Sequence, residues 1–110
     1  MNLVATASGP TVDSVFDPKF GRCRYFLFID TTDMTVECVD NPFRDTSGGA
    51  GPRCTQFMVD RKVDTVLTGE VGPNARQALA AAGITVVTGC AGNIAEAITG
   101  LSVENTGRSH

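Results

Sequence analysis

The segment Val66-Leu67-Thr68-Gly69-Glu70-Val71-Gly72-Pro73-Asn74-Ala75 decides the fold of this chain. Val66 and Leu67 close the short run Val63-Asp64-Thr65-Val66-Leu67, which predicts a strand. Gly69 and Gly72 admit backbone angles and close approaches that a Cβ forbids. Pro73 suits the first position of a helix, where its missing N–H is no loss. Ala75, Ala78, Leu79 and Ala82 then follow at helical spacing. A strand that passes through a glycine-rich turn straight into a helix predicts one arm of a parallel α/β unit. It also predicts an anion site, because free N–H groups and the positive end of the helix dipole face one spot.

The grammar repeats downstream. Gly83 stops the helix, Ile84-Thr85-Val86-Val87-Thr88 predicts another strand, and Gly89-Cys90-Ala91-Gly92 turns into a last helix. That helix has Asn93 as N-cap candidate and Ile94, Ala97, Ile98 and Leu101 as its apolar stripe. Upstream, Ser47-Gly48-Gly49-Ala50-Gly51-Pro52 opens a helix whose stripe is Cys54, Phe57, Met58 and Arg61, the Arg61 stem lying along the apolar edge with its head in water. Val63 to Thr68 is the strand that follows.

The first third of the chain reads differently. Leu3-Val4-Ala5-Thr6-Ala7 predicts a buried central strand. Tyr25-Phe26-Leu27-Phe28-Ile29-Asp30 and Thr35-Val36-Glu37-Cys38-Val39-Asp40 lie too close for a crossover and predict an antiparallel hairpin, its second strand at a sheet edge. Residues 11–22 lack periodicity and read as a long loop, the more mobile wall of a site whose other wall is Gly69 to Ala75. The whole is an α/β fold, a five-stranded mixed sheet with flanking helices. It forms a single domain over residues 1–101, and 102–110 is a flexible tail.

Composition excludes several function classes. The net charge of −3 gives no support for nucleic-acid binding. No apolar run is long enough to span a bilayer, and the N-terminal residues lack the basic and apolar regions of a signal peptide, so a cytoplasmic location without a membrane partner is expected. Cys23, Cys38, Cys54 and Cys90 form no C-x-x-C pair and no zinc-finger spacing, and read as thiols, most of them small buried hydrophobes. The single histidine, His110, is the last residue quoted, which argues against a Ser-His or Cys-His pair. Asp13 and Asp17 lie in a loop, and Asp30 and Asp33 are explained by turn chemistry, which weakens a two-metal nuclease reading. No G-x-x-x-x-G-K-[ST] phosphate loop occurs. What remains is a shallow site at the carboxyl ends of the strands, lined by backbone N–H groups of three glycine turns and by the cations of the loops.

Phe20-Gly21-Arg22-Cys23 followed by Tyr25-Phe26, then Asn41-Pro42, Gly48-Gly49-Ala50-Gly51, Thr68 to Ala75, Ala82-Gly83-Ile84 and Val87-Thr88-Gly89 occur in one order. In these motifs the chain resembles the dinitrogenase iron-molybdenum cofactor biosynthesis family, the nitrogenase accessory factors, over residues 2–101. The resemblance implies a ribonuclease-H-like fold without nuclease activity. It also implies a non-enzymatic role in binding, carriage or storage of an anionic molybdenum-containing metal–sulfur cluster, with iron or copper, and delivery to cluster-assembly or acceptor proteins. The site expected from the turns and the resemblance together is Lys19, Phe20, Gly21, Arg22, Gly49, Ala50, Gly51, Gly69, Val71, Gly72, Pro73, Asn74, Gly89 and Gly92. Cys23, Cys54 and Cys90 are the thiols placed near the metal, as ligands or as contacts. Two positions depart from the family pattern. Lys19 stands where many members have His before Phe-Gly, and Ser47-Gly48 where many have His in the glycine loop, which points to a charge-based mode using Lys19 and Arg22. The rivals are an interaction module of the same fold that holds no metal, and an anion- or nucleotide-binding enzyme, for which no competent base is visible.

Overall fold

Alternation of aromatic and branched residues makes β2 (Tyr25–Asp30) the partner of β1 (Asn2–Ala7), antiparallel from Asn2 opposite Asp30 to Ala7 opposite Tyr25. β3 (Thr35–Asp40) returns antiparallel to β2 and lies at the edge, exposed along most of its length. The computed structural model describes residues 1–45 and 50–100. α1 (Ala50–Asp60), β4 (Thr65–Leu67), α2 (Pro73–Ala81), β5 (Thr85–Val87) and a helix over residues 94–100, α3, complete the order. β4 pairs parallel with β1 and β5 parallel with β4, giving one mixed sheet ordered β3-β2-β1-β4-β5. This is the five-stranded α/β architecture expected from the sequence. The tail expected at 102–110 lies outside the described residues.

Two short strands differ from the sequence reading. β4 starts at Thr65, because the Val63 N–H bonds to the Met58 carbonyl (3.1 Å) and closes α1. The turn there passes through Lys62 at φ 59°. β5 is likewise confined to Thr85–Val87. Gly83, at φ +77°, ends the α2 segment as expected.

The sheet separates two cores. α1 and α2 cover one face with Val4, Phe20, Cys23, Phe26, Cys54, Met58, Val66 and Leu79. α3 covers the other with Leu3, Ala5, Phe16, Leu27, Ile29, Ile94 and Ile98. Arg61 does more than lay its stem along the apolar edge. Its guanidinium sits 4.4 Å from the Phe28 ring centroid and 5.0 Å from that of Phe57, and pairs with Glu37 at 2.8 Å. Among the described residues, no helix is long and apolar enough to cross a membrane.

The loop between β1 and β2 is built, contrary to its lack of periodicity. Phe16 and Phe20 are buried in opposite cores. The loop bridges Ala7 to Phe16, Val15 to Asn93 and Lys19 to Glu70. The buried Thr6 hydroxyl bonds the Asp17 carbonyl and the Thr68 hydroxyl, each at 2.8 Å, tying the loop to the ends of β1 and β4.

Candidate functional site

The strand register sets where the site is. Asp40 pairs with Tyr25, and Tyr25 with Ala7, so β3 and β1 finish at the same edge of the sheet. Leu67 and Val87 finish there too, in register with Ala5. α1 and α2 both start at this edge and run side by side over the same core. Their positive ends therefore point in the same direction. Neither helix has an acidic residue in its first turn. Lys19, Arg22, Arg53 and Arg76 are exposed along this edge.

The backbone donors of the second and third glycine turns are used differently. In the third turn Gly89 N–H bonds to Gly69 O at 2.8 Å and Cys90 N–H to Thr68 O at 3.1 Å. At the start of α3, Ile94 N–H goes to Ser14 O, Ala95 N–H to Val12 O, and Glu96 N–H to the Asn93 side chain. Asn93 is the N-cap expected from sequence, but the β1–β2 loop has taken the donors that an anion would need. Gly89 and Gly92 sit at φ +76° and +79°, which explains them as conformational glycines.

The second turn keeps its donors. Glu70 N–H goes to Pro18 O at 2.7 Å and Phe20 N–H to Glu70 O at 3.2 Å. Val71, Gly72, Asn74 and Ala75 N–H groups have no acceptor among the described residues. Gly69 and Gly72 differ in kind. A Cβ on Gly69 would lie 2.6 Å from Pro18 O, so this glycine lets the loop pack against the turn. Gly72, at φ −66° and ψ 162°, needs no special angle, and a Cβ there would meet nothing within 4 Å. The fold does not require glycine at 72.

The expected site is thus partly assembled. Lys19, Gly21, Arg22, Val71, Gly72, Pro73 and Asn74 lie at the α1–α2 end of the molecule, and α1 begins at Ala50 and Gly51. Gly49 lies outside the described residues. Loop 11–22 and the second turn are not two walls across a gap. They are hydrogen-bonded to each other through Pro18, Phe20 and Glu70. Phe20 is 1% exposed and supports the surface from beneath, its ring 6.0 Å from that of Phe26.

The thiols are divided by the sheet. Cys90 packs against the α3 core, and its Sγ lies 3.6 Å from Val87 O. Cys23 and Cys54 are in the α1–α2 core with no exposure. Burial, the neighbouring Cys54 and Asp17 push the Cys23 thiol far above its ordinary value. Burial pushes Cys54 up to about 12, with Arg22 pulling the other way. Neither is a thiolate near neutral pH, and thiolate is the form that ligates metal. Cys38 is exposed on β3. Among the described residues, no group of three or more His, Cys, Asp or Glu is arranged to hold a metal ion. Asp30 and Asp33 each accept a backbone N–H two residues on, at 2.9 and 3.1 Å, as turn residues do.

Sequence reasoning did not place Asn41 beside Arg22 and the buried thiols. Its buried side chain meets both Cys23 and Cys54 and the backbone on either side of Arg22. The only local signal was Asn41-Pro42 as the end of the hairpin.

The family model described as dinitrogenase iron-molybdenum cofactor matches residues 1–103. Among solved structures, the chain is similar to the apo form of the orange protein from Desulfovibrio gigas, at 36% identity and a TM-score of 0.86, over 94% of this chain and 88% of that one. It is also similar to PH0822, at 33% identity and a TM-score of 0.77, over 92% and 89% of the two chains. A third similarity is to TM1290 of Thermotoga, a protein of the DUF35 family named for NifB, at 33% identity and a TM-score of 0.79, over 92% and 86%. No curated protein matches the chain.

Proposed function

This chain belongs to the dinitrogenase iron-molybdenum cofactor family, and from that membership we propose that it binds and carries an anionic molybdenum-containing metal–sulfur cluster, with iron or copper as the second metal. The protein performs no catalysis and hands the cluster to assembly or acceptor proteins. The observation that carries this reading is the shared direction of the α1 and α2 N-termini, with no acidic residue in either first turn and Lys19, Arg22, Arg53 and Arg76 along the same edge. A large soft anion suits such a surface, because many weak N–H and cation contacts can share its spread charge.

The contact residues in this reading are Lys19, Gly21, Arg22, Gly49, Ala50, Gly51, Val71, Gly72, Pro73 and Asn74. Phe20 and Gly69 shape the surface from below. Cys23 and Cys54 remain protonated supports, and binding uses hydrogen bonds and charge in place of sulfur ligation. Anaerobic reconstitution with tetrathiomolybdate and Cu(I) or Fe(II) tests the proposal. A charge-transfer band that stays with the protein through gel filtration is expected. Elution of protein free of molybdenum under both conditions contradicts it.

A further inference from the structure

Asn41 has more hydrogen-bonding contacts than a hairpin terminus needs. Its side-chain Nδ2 donates to Gly21 O at 3.2 Å and to Cys23 O at 3.0 Å, the carbonyls on either side of Arg22. Its Oδ1 accepts the Phe43 N–H at 2.9 Å, which folds the next residues into a tight turn. Its backbone N–H bonds to Arg24 O at 3.0 Å. That turn delivers the Arg44 carbonyl to Arg22, whose Nη1 donates to it at 2.8 Å. Arg22 is thus held twice, through its flanking backbone by the Asn41 amide and at its guanidinium by the turn that Asn41 closes. A carbonyl fixes a guanidinium without neutralising it.

We propose that Asn41 is the positioning residue for Arg22, fixing its guanidinium for contact with an anionic, sulfide-rich ligand at the α1–α2 edge. The inference rests on the reading of Arg22 as an anion contact. Asn41 touches no ligand. Its contribution is to place a side chain with many rotamers before binding, so that less freedom is lost when the anion arrives. The amide also approaches the Sγ atoms of Cys23 (3.8 Å) and Cys54 (3.9 Å), which seats it between loop and helix and limits its own rotation.

The experiment is a double-mutant cycle read by tetrathiomolybdate affinity, with Asn41→Ala, Arg22→Gln and the double variant, each checked for folding by circular dichroism. Arg22→Gln is expected to weaken binding on the order of tenfold. Asn41→Ala should weaken it several-fold in the wild-type background and by less than about twofold when Arg22 is already Gln. An equal loss in both backgrounds, or no loss in either, overturns the proposal. A ligand-free measurement covers the case in which Asn41→Ala does not fold. In the wild-type protein the Arg22 guanidinium should show slowed rotation and an ordered Nε–H by ¹⁵N relaxation. A freely rotating Arg22 overturns the proposal. If wild-type protein does not bind tetrathiomolybdate at all, the carrier reading fails, while the relaxation result still decides whether Arg22 is held.

Discussion

Gly69 and Gly72 stand three residues apart in opposite surroundings, one crowded and one open, which gives a sharp test at the residue scale. A methyl group on Gly69 drives into the Pro18 carbonyl, so Gly69→Ala should destabilise the fold by about 1–3 kcal/mol, read by chemical denaturation. Gly72→Val meets open space at an angle that any residue adopts, and should change stability by less than about 1 kcal/mol. The same Gly72→Val substitution should sharply lower tetrathiomolybdate uptake, because its side chain occupies the approach to the α2 N–H groups. The buried thiols carry a pH prediction. Cys23 and Cys54 are held neutral in the fold, with values raised above the ordinary 9.0, so near pH 9 the unfolded chain starts to lose protons that the folded chain keeps. Stability is therefore constant in these two groups below pH 9 and falls as pH rises from 9 towards 12. Thermal melts between pH 8 and 11 check this, and replacing Cys54 with Ala should make the decline shallower.

At the scale of elements, the helices that looked alike in sequence have different duties. α2 leaves its N-terminus exposed, with Gly72, Pro73 and Asn74 all on the surface, whereas α3 begins against the β1–β2 loop. Asn93→Ala removes the α3 cap and a bond to Asp13 O, and should cost about 1 kcal/mol, measured as a lowered melting temperature. Tetrathiomolybdate affinity should be unchanged, since α3 lies on the other face. The antiparallel hairpin, the parallel second half and the βα turns were legible because they follow local rules. Three strand-to-helix turns and a hairpin too short for a crossover leave few topologies. The loop over residues 11–22 was not legible, because its order comes from distant partners. Phe16 N–H finds Gly92 O, and Ser14 O caps Ile94, contacts that no local periodicity encodes. For the same reason the third glycine turn looked like an anion site. Its glycines and its N-cap were visible in sequence, but the carbonyls that occupy its donors come from the other end of the chain.

The whole molecule is acidic, at a net charge of −3, yet Lys19, Arg22, Arg53 and Arg76 share one edge, while Asp30 and Asp33 lie at the opposite end of the β2–β3 hairpin. This asymmetry lets a small acidic protein attract an anion at one end, and binding through exposed charge should weaken as salt rises past physiological strength. On the proposed reading, binding occurs where α1 and α2 begin and nowhere near α3. An anaerobic titration of ¹⁵N-labelled protein with tetrathiomolybdate, followed by amide chemical shifts, tests it most directly. Large, saturable shifts are expected at residues 19–22, 51, 53–54, 71–72 and 74–76, with Cys90 to Glu96 unmoved. Shifts centred on Cys90 to Glu96, or none at the α1–α2 edge, would contradict it.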